Sequence, residues 1–268
     1  MGLKTKKGFD ISAFTLKVIA CLIMLIDHMT ILFTDYGTTI YTAGRAIGRI
    51  AMPIFMFFLV EGFFYTKNRW RSLIVLAIFA LISEAPFDWA FWGLNYSTES
   101  VFYGQNMLVT MFIVYATLMG IDYIRKKFFF GNYAYYSFAS AFLIVIGSGA
   151  AFLLKTDYSY FGVMVGMGFY FFRFKKMRIL IYYVVCLLIY SINGNMIEFV
   201  SVLAFLLIFL YNGRQYPKSF AYLTKNGEDI TEKYKHKSYY VLKYAFYLFY
   251  PLHLTILCLI RFNFAYGI

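Results

Sequence analysis

The sequence predicts an all-α fold: a polytopic bundle of transmembrane helices. Hydrophobic residues make up 62% of the 268 residues and charged residues only 14%, whereas a soluble domain is about 25% charged. The mean hydropathy is +0.66. The apolar residues form long runs separated by short basic segments, which is typical of helices that cross a hydrocarbon core of about 30 Å. We therefore expect one transmembrane domain over residues 1–268.

Nine apolar runs are predicted to be membrane spans, and because the sixth to eighth are short and closely spaced, the sequence also allows eight or ten. They cover about 13–33, 47–65, 72–93, 105–121, 134–154, 159–173, 179–193, 196–212 and 243–262. The one substantial loop is a polar, basic connector at about 213–242, which we place in the cytoplasm. The first run is too long for a cleavable signal peptide, and no small-residue cleavage site follows it, so we expect it to remain as a helix.

The distribution of basic residues predicts the orientation of the bundle. With the N-terminus in the cytoplasm, the inside segments hold 20 of the 25 Lys and Arg residues, and the outside segments hold only Arg45, Arg49, Lys155 and Arg261. Cytoplasmic loops of membrane proteins carry such an excess. Topology therefore explains the net charge of +12, and we expect contact with membrane lipid and no nucleic-acid partner.

The three cysteines lie within apolar runs without the spacing of a zinc site, so no metal is predicted.

Three ionisable residues interrupt the first apolar run: Lys17, Asp27 and His28. An ionisable group inside a span costs on the order of 2.5–3.5 kcal/mol by insertion scales, so such a residue is read as functional by default. Lys17 and His28 are eleven positions apart, about 1,100° of helical rotation, which places them on one face at depths about 16 Å apart. One helix thus offers a cation near one surface and a titratable imidazole deeper in the membrane.

Further polar side chains occur in or beside the later spans and are candidates for the walls of one cavity. They are Arg49, Glu61, Glu84, Asp88, Asn106, Asp157, Tyr250 and His253. Glu84 and Asp88 share one helix face with Pro86 between them, where a proline frees a backbone carbonyl. Each candidate also has a plainer interpretation, because an acid can simply pair with an arginine and a single histidine can hydrogen-bond a neighbouring helix. The residues alone leave both interpretations open.

Six segments together resemble the TraX family. They are LKVIACLIMLIDHM at 16–29, GRIAMPIFMFFLVEGFFYTKN at 48–68, SEAPFD at 83–88, NMLVT at 106–110, DYSYFGV at 157–163 and FYLFYPLHLTIL at 246–257. The resemblance implies a multi-pass protein of the bacterial cytoplasmic membrane, associated with N-terminal acetylation of conjugative pilin. It also implies a relation to integral-membrane acyltransferases that use acetyl-CoA. Lys17 and His28 match the Arg/Lys-x10-His spacing of one branch of that superfamily, whereas Glu84 stands where the family usually has Gln.

The resemblance and the chemistry of acyl transfer imply catalytic roles. His28 is expected to be the general base that takes the proton of the acceptor amine or hydroxyl, and Asp27 is placed to orient its imidazole. His253 is expected to be the partner acid or to hold the acceptor. The tetrahedral intermediate needs donors at its oxyanion, which Arg49 or Asn106 could supply.

The remaining candidates are assigned to the two substrates. Lys17 and Glu61 are expected to contact acetyl-CoA, the donor substrate, which approaches from the cytoplasmic side. The acceptor or cavity residues are predicted to be Glu84, Asp88, Asn106, Asp157 and Tyr250. We expect direct transfer across the membrane plane to an acceptor on the outer side, and the sequence does not choose between a peptide amine, a glycan hydroxyl and a small molecule.

Two function classes remain as alternatives to an acyltransferase. Intramembrane histidines and carboxylates also form proton relays, so a proton-coupled transporter or flippase is one alternative. The other is a non-catalytic membrane assembly factor that holds a small membrane protein. A transporter predicts inverted repeats between the two halves of the chain, which the sequence does not display.

Overall fold

The computed structural model describes residues 11–92, 104–192, 194, 196–214 and 231–266, with the backbone alone for 231–243 and 264–266. The described residues are almost entirely helical and include no β-strand, which confirms the predicted all-α class. The helices are α1 Ala13–Phe33, α2 Thr39–Gly48, α3 Ala51–Tyr65, α4 Arg69–Trp92, α5 Met107–Phe128, α6 Tyr133–Leu153, α7 Ser159–Phe171, α8 Lys176–Ser191, a 3₁₀ helix Met196–Leu203, α9 Ala204–Phe209 and α10 Thr231–Tyr266.

Six helical segments are long and apolar enough to cross a membrane. They are Ala13–Phe33, Thr39–Tyr65, Arg69–Trp92, Met107–Phe128, Tyr133–Leu153 and Tyr244–Asn263. The predicted count of nine is not confirmed, because α7, α8 and the 3₁₀ helix with α9 are shorter than the roughly 20 residues that a span requires. By length and composition, the chain is a multi-pass membrane protein.

The shorter segments nevertheless run between the same two ends of the bundle as the long helices. Arg173, just after α7, is bonded to Glu61 near the end of α3. Tyr211, just after α9, pairs with Ile11, just before α1. We call this the basic end, since it carries Arg69, Arg125, Lys126, Arg173 and Lys176. The opposite end lies where α1 is followed by α2. The alternation of the chain agrees with the predicted sidedness, and the orientation in the membrane stays a prediction.

Two predicted boundaries differ from the structure. The second span was expected to begin at about residue 47, but the helical segment begins at Thr39 and is interrupted between α2 and α3, where Arg49 lies. Most of the predicted connector at 213–242 lies outside the described residues. Its last part, from Thr231, is already the beginning of α10.

Small residues set the closest helix contacts. Gly44 and Gly48 lie one turn apart on α2, and a Cβ at either position would overlap a side chain of α1, Thr30 or Asp27. Close approach through small residues four positions apart is the common way in which membrane helices pack. The pairing of α1 with α2 therefore fixes Asp27 against the start of the second span.

Candidate functional site

Two buried histidines from opposite ends of the sequence meet in the centre of the site. Nδ1 of His28 on α1 lies 2.6 Å from Nε2 of His253 on α10. Their rings are parallel within 5° with centroids 4.9 Å apart. An N···N distance of 2.6 Å is too short for stacked rings but fits a hydrogen bond in a shared ring plane. The structure thus brings together the two histidines that the sequence placed in one cavity.

The partners of His253 determine which nitrogen carries each proton. Nδ1 of His253 lies 2.6 Å from the backbone oxygen of Phe249, and a carbonyl only accepts, so this nitrogen donates. In neutral His253, Nε2 is therefore the acceptor, and Nδ1 of His28 must be the donor between the rings. Neutral His28 is left with an unprotonated Nε2. The pair is thus arranged to keep one basic imidazole nitrogen on His28.

Aromatic rings enclose the histidine pair. Phe91 and Tyr250 pack edge-on against His28, with ring centroids at 5.7 Å and 6.2 Å. The ring of Phe249 lies over His253 at 4.7 Å. Both imidazoles are consequently more than nine-tenths buried, at 7% and 5% exposed. Both imidazoles are therefore largely shielded from bulk water.

A mainly apolar cavity of about 190 Å³ extends from the basic end toward this pair. Its lining includes Thr66 in the loop before α4, and Lys17 on α1. Farther in, it is lined by Met24 and by Tyr250, whose ring contacts both histidines. One aromatic ring therefore separates the inner part of the cavity from the histidine pair.

Lys17 lies in the wall of this cavity. Its Nζ lies 5.3 Å from the ring centre of Phe58 and 5.6 Å from that of Phe246. Contacts with ring faces stabilise an ammonium group in an apolar setting. The cavity thus has a cation in its wall toward the basic end and the histidine pair beyond its inner part.

Asp27 is paired with an arginine rather than with the adjacent histidine. Nη1 of Arg45 lies 2.7 Å from Oδ1 and 2.6 Å from Oδ2 of Asp27. His28 is instead oriented by His253. Asp27 was expected to orient the His28 imidazole, but the two side chains form no hydrogen bond. Neighbouring residues on a helix point about 100° apart, which directs Asp27 toward Arg45.

Arg49 belongs to a buried ionic group at the opposite end. Its Nη1 donates to Glu198 at 3.0 Å and to the hydroxyl of Tyr158 at 3.3 Å, and the Arg49 and Glu198 side chains are both buried. The Nε of Arg49 and the Oε2 of Glu198 have no hydrogen-bond partner among the described residues. Glu198 was not predicted, although a lone acid within the apolar run 196–212 was the available signal.

Asp157 lies near this group, and its carboxylate interacts electrostatically with Arg49. Burial raises the pKa of the Asp157 carboxyl to about 6, against the opposing effect of Arg49. Its backbone oxygen accepts a 2.9 Å hydrogen bond from the hydroxyl of Thr110. The predicted residues Arg49 and Asp157 are thus close in space, on the Asp27 side of the histidine pair.

Residues of α4 form hydrogen bonds with Asn106, the residue that caps the beginning of α5. The amide nitrogen of Asn106 donates to Glu84 and, at 2.9 Å, to the backbone oxygen of Ala80. Its oxygen accepts from the backbone of Leu108 and caps α5. Asn106 is therefore fully engaged in structure, which leaves it no donor for an oxyanion in this conformation. Asp88 is buried and its Oδ1 has no hydrogen-bond partner within the described ranges.

Glu61 forms a paired contact at the basic end rather than lining the cavity. Nε and Nη2 of Arg173 lie 2.7 Å and 3.0 Å from its two carboxylate oxygens. Such a bidentate pair ties α3 to the end of α7.

Among the described residues, no group of three His, Cys, Asp or Glu side chains is arranged to hold a metal ion.

These features define a class: multi-pass helical membrane proteins with a buried, hydrogen-bonded histidine pair beside an apolar cavity. The family model described as TraX protein matches residues 12–261, and the chain belongs to the TraX family. The resemblance inferred from the sequence is thereby confirmed. The chain is also similar to the probable fimbrial assembly protein FimC, serogroup H1, of Dichelobacter nodosus, with 38% identity over 117 residues. That match covers 42% of this chain and 48%, about half, of the relative. No solved structure matches the chain.

Proposed function

We propose that this protein is a membrane acetyltransferase that moves an acetyl group from acetyl-CoA to an amine or hydroxyl, with His28 as general base. The observation that carries the proposal is the hydrogen-bond chain from the Phe249 carbonyl through His253 to His28. This chain leaves Nε2 of neutral His28 as the proton acceptor. General bases of this kind contribute about 10²–10⁴-fold to a rate.

The proposed reaction uses one proton transfer in each direction. Nε2 of His28 takes the proton of the acceptor while the acceptor nitrogen or oxygen attacks the thioester carbonyl. The imidazolium that forms keeps its Nδ1–H bonded to His253, a bond that strengthens when the donor is charged. When the C–S bond breaks, the sulfur leaves as a thiolate and takes the proton back from His28. The base is regenerated without an acyl-enzyme.

The cavity supports entry of the donor from the basic end. A volume of about 190 Å³ is below the roughly 300–1,000 Å³ typical of sites that enclose a whole drug-sized ligand. It suits a slender acyl-thioester arm, while the anionic nucleotide stays outside among the cations. Because acetyl-CoA is cytoplasmic, this proposal places the basic end at the inner face of the bacterial cytoplasmic membrane, in agreement with the charge distribution.

The acceptor is proposed from the family and the relative. The name of the relative refers to fimbrial assembly, and the resemblance to the TraX family implies N-terminal acetylation of pilin. A pilin-like N-terminal amine reaching His28 from the opposite end is therefore the acceptor to test first, and a glycan hydroxyl is the second.

The test is acetyl transfer and CoA release by the purified protein, given radiolabelled acetyl-CoA and a membrane extract. The critical variant is His28→Asn, because the asparagine amide can replace the Nδ1 donor toward His253 but supplies no base. His236→Asn makes the same chemical change on a different helix, α10, and serves as the matched control. We expect a loss of about 10²–10⁴-fold for His28→Asn alone. No label transfer and no CoA release by the wild type would refute the proposal.

The name of the relative also favours a second candidate, a non-catalytic assembly factor. This candidate predicts that His28→Asn still supports pilus assembly in cells to the wild-type level. The acetyltransferase predicts that acetylation is lost while the amount of protein in the membrane stays normal.

A further inference from the structure

Three basic side chains converge on one buried carboxylate at the basic end. Asp122 is 1% exposed and accepts from Arg69 on α4, from Arg125 at 2.8 Å and from Lys126 at 2.9 Å. We call these four residues the Asp122 cluster. One negative charge faces three positive charges, so the cluster retains a positive excess at the surface. Lys126 and Arg125 are its outer members, with side chains 66% and 43% exposed.

Helix electrostatics explain only part of this arrangement. Arg125 and Lys126 lie in the last turn of α5, where the helix dipole favours cations. Arg69, in contrast, begins α4, where the dipole disfavours a cation and where the first turn has no acidic residue. Among the described residues, Asp122 on the neighbouring helix α5 is the acid that pairs with Arg69. A cation that served only to set the orientation of the helices in the membrane would not need to pair with a buried carboxylate.

The Asp122 cluster continues two walls of the cavity. Ser72, one turn after Arg69 on α4, lines the cavity, and so does Tyr115, two turns before Asp122 on α5. The guanidinium of Arg69 lies 4.1 Å from the ring centre of Phe63. Phe63 in turn packs edge-on against Tyr115 with centroids 5.2 Å apart. The cations therefore lie where a molecule emerging from the cavity would meet them.

Hydroxyl groups also lie in the cavity wall beside the cluster. The Tyr115 side chain is buried there, with the hydroxyls of Ser72 and Thr66 as its polar neighbours, and all three residues line the cavity. A hydroxyl can donate to and accept from an amide, and the pantetheine arm of coenzyme A carries two amides.

We propose that the Asp122 cluster binds the phosphate groups of the acyl-CoA donor, with Arg125 and Lys126 as the contacting cations. Asp122 and Arg69 are positioning residues that hold these cations beside the cavity. The arm of the donor then runs past Tyr115 toward the histidine pair. This inference rests on the proposed function for the identity of the donor. The underlying chemistry, phosphate recognition by clustered cations, also fits an anionic lipid headgroup, and the test separates the two.

The experiment measures binding without turnover, by calorimetry on purified protein in nanodiscs of neutral lipid. The probes are coenzyme A, dephospho-coenzyme A and pantetheine, which carries the same arm without phosphate. We expect Arg125→Gln and Lys126→Gln each to weaken coenzyme A about tenfold or more, the loss typical of a charged hydrogen bond. Pantetheine should bind these variants as it binds the wild type.

Lys127→Gln is the matched control. Lys127 lies in the same last turn of α5, but its Nζ is over the ring of Phe128 rather than on Asp122. An equal loss in Lys127→Gln, or equal affinity for coenzyme A and pantetheine, would overturn the assignment. Phosphatidylglycerol in the nanodiscs tests the alternative. If coenzyme A binding falls steadily as the fraction of this lipid rises, until none is left, the lipid occupies the cluster and the cluster is a lipid site instead.

The outcomes also separate this inference from the proposed function. Acetyl transfer that is unaffected by Arg125→Gln and Lys126→Gln would refute the phosphate site while the transferase stands. Phosphate-dependent binding of coenzyme A without any acetyl transfer would refute the transferase while the site stands.

Discussion

His28 and His253 are 225 positions apart in the chain, yet Nδ1 of the first lies 2.6 Å from Nε2 of the second. Since Nδ1 of His253 already donates to the Phe249 carbonyl, the direction of this bond is determined. The role of His253 in the proposed reaction is therefore to accept from His28 and so hold its tautomer. It does not need to exchange a proton with the substrate.

This role predicts different outcomes for two substitutions of His253. Glutamine places an amide oxygen within reach of Nδ1 of His28, so His253→Gln should keep most of the acetyl transfer. Leucine offers no acceptor, so His253→Leu should lower kcat by about 10²-fold or more, with KM for acetyl-CoA little changed. Steady-state kinetics of both variants check the prediction. Equal losses in the two variants would mean that His253 is itself the acid.

The contact between Gly48 and Asp27 predicts a large packing effect. A Cβ at Gly48 would overlap the Asp27 carboxylate, so Gly48→Ala should destabilise the protein by about 1–3 kcal/mol. Gly62→Ala is the control, because its Cβ would meet nothing within 4 Å and alanine favours a helix interior by about 0.5–1 kcal/mol. Thermal unfolding in detergent should therefore shift in opposite directions for the two variants. A shift of the same sign in both would contradict the close approach of α1 and α2.

The raised pKa of Asp157 predicts a pH dependence of stability. Its folded-state pKa of about 6 lies above the ordinary value of 3.8, so folding favours the protonated carboxyl. The resulting stability is complete below about pH 3.8 and is lost as the pH rises through about 6. Asp157→Asn cannot ionise, so the wild type should lose stability relative to this variant between about pH 4 and pH 6. Unfolding midpoints in detergent across this range provide the measurement, and a constant difference would refute it.

The sequence predicted those parts of the molecule that local chemistry determines. Composition was sufficient for the helical class, and the spacing of Lys17 and His28 predicted a shared face. Lys17 does line the cavity that extends toward the His28 pair. Most basic residues were predicted to lie in the segments on one side of the bundle, and the structure collects many of them at one end.

Pairing between distant segments was not predictable in the same way. Nothing in the sequence near Asp27 says that its partner is Arg45, and nothing near Arg49 indicates Glu198. Such partners depend on which helices pack against each other, and the hydropathy of a sequence does not show which helices those are. The count of nine spans is not confirmed for a related reason: α7 and α8 are apolar but short, so a hydropathy pattern cannot separate a span from a half-buried helix.

The buried pair of Arg49 and Glu198 allows structure and catalysis to be separated. Nη1 of Arg49 lies 3.0 Å from Oε1 of Glu198, and removing one partner of a buried pair costs about 3–5 kcal/mol. Arg49→Gln and Glu198→Gln should each lower the unfolding midpoint in detergent strongly. The double variant should be more stable than the sum of the two effects predicts, by about 0.5–3 kcal/mol, because neither charge is left alone.

Acetyl transfer by the double variant then tests the catalytic assignment of Arg49. If Arg49 stabilises the oxyanion, the double variant folds but transfers acetyl groups about 10²–10³-fold more slowly, the loss typical of a missing oxyanion donor. If Arg49 only neutralises Glu198, activity returns together with stability. Additive losses of stability in the double variant would contradict the ion pair itself, since two uncoupled side chains contribute independently.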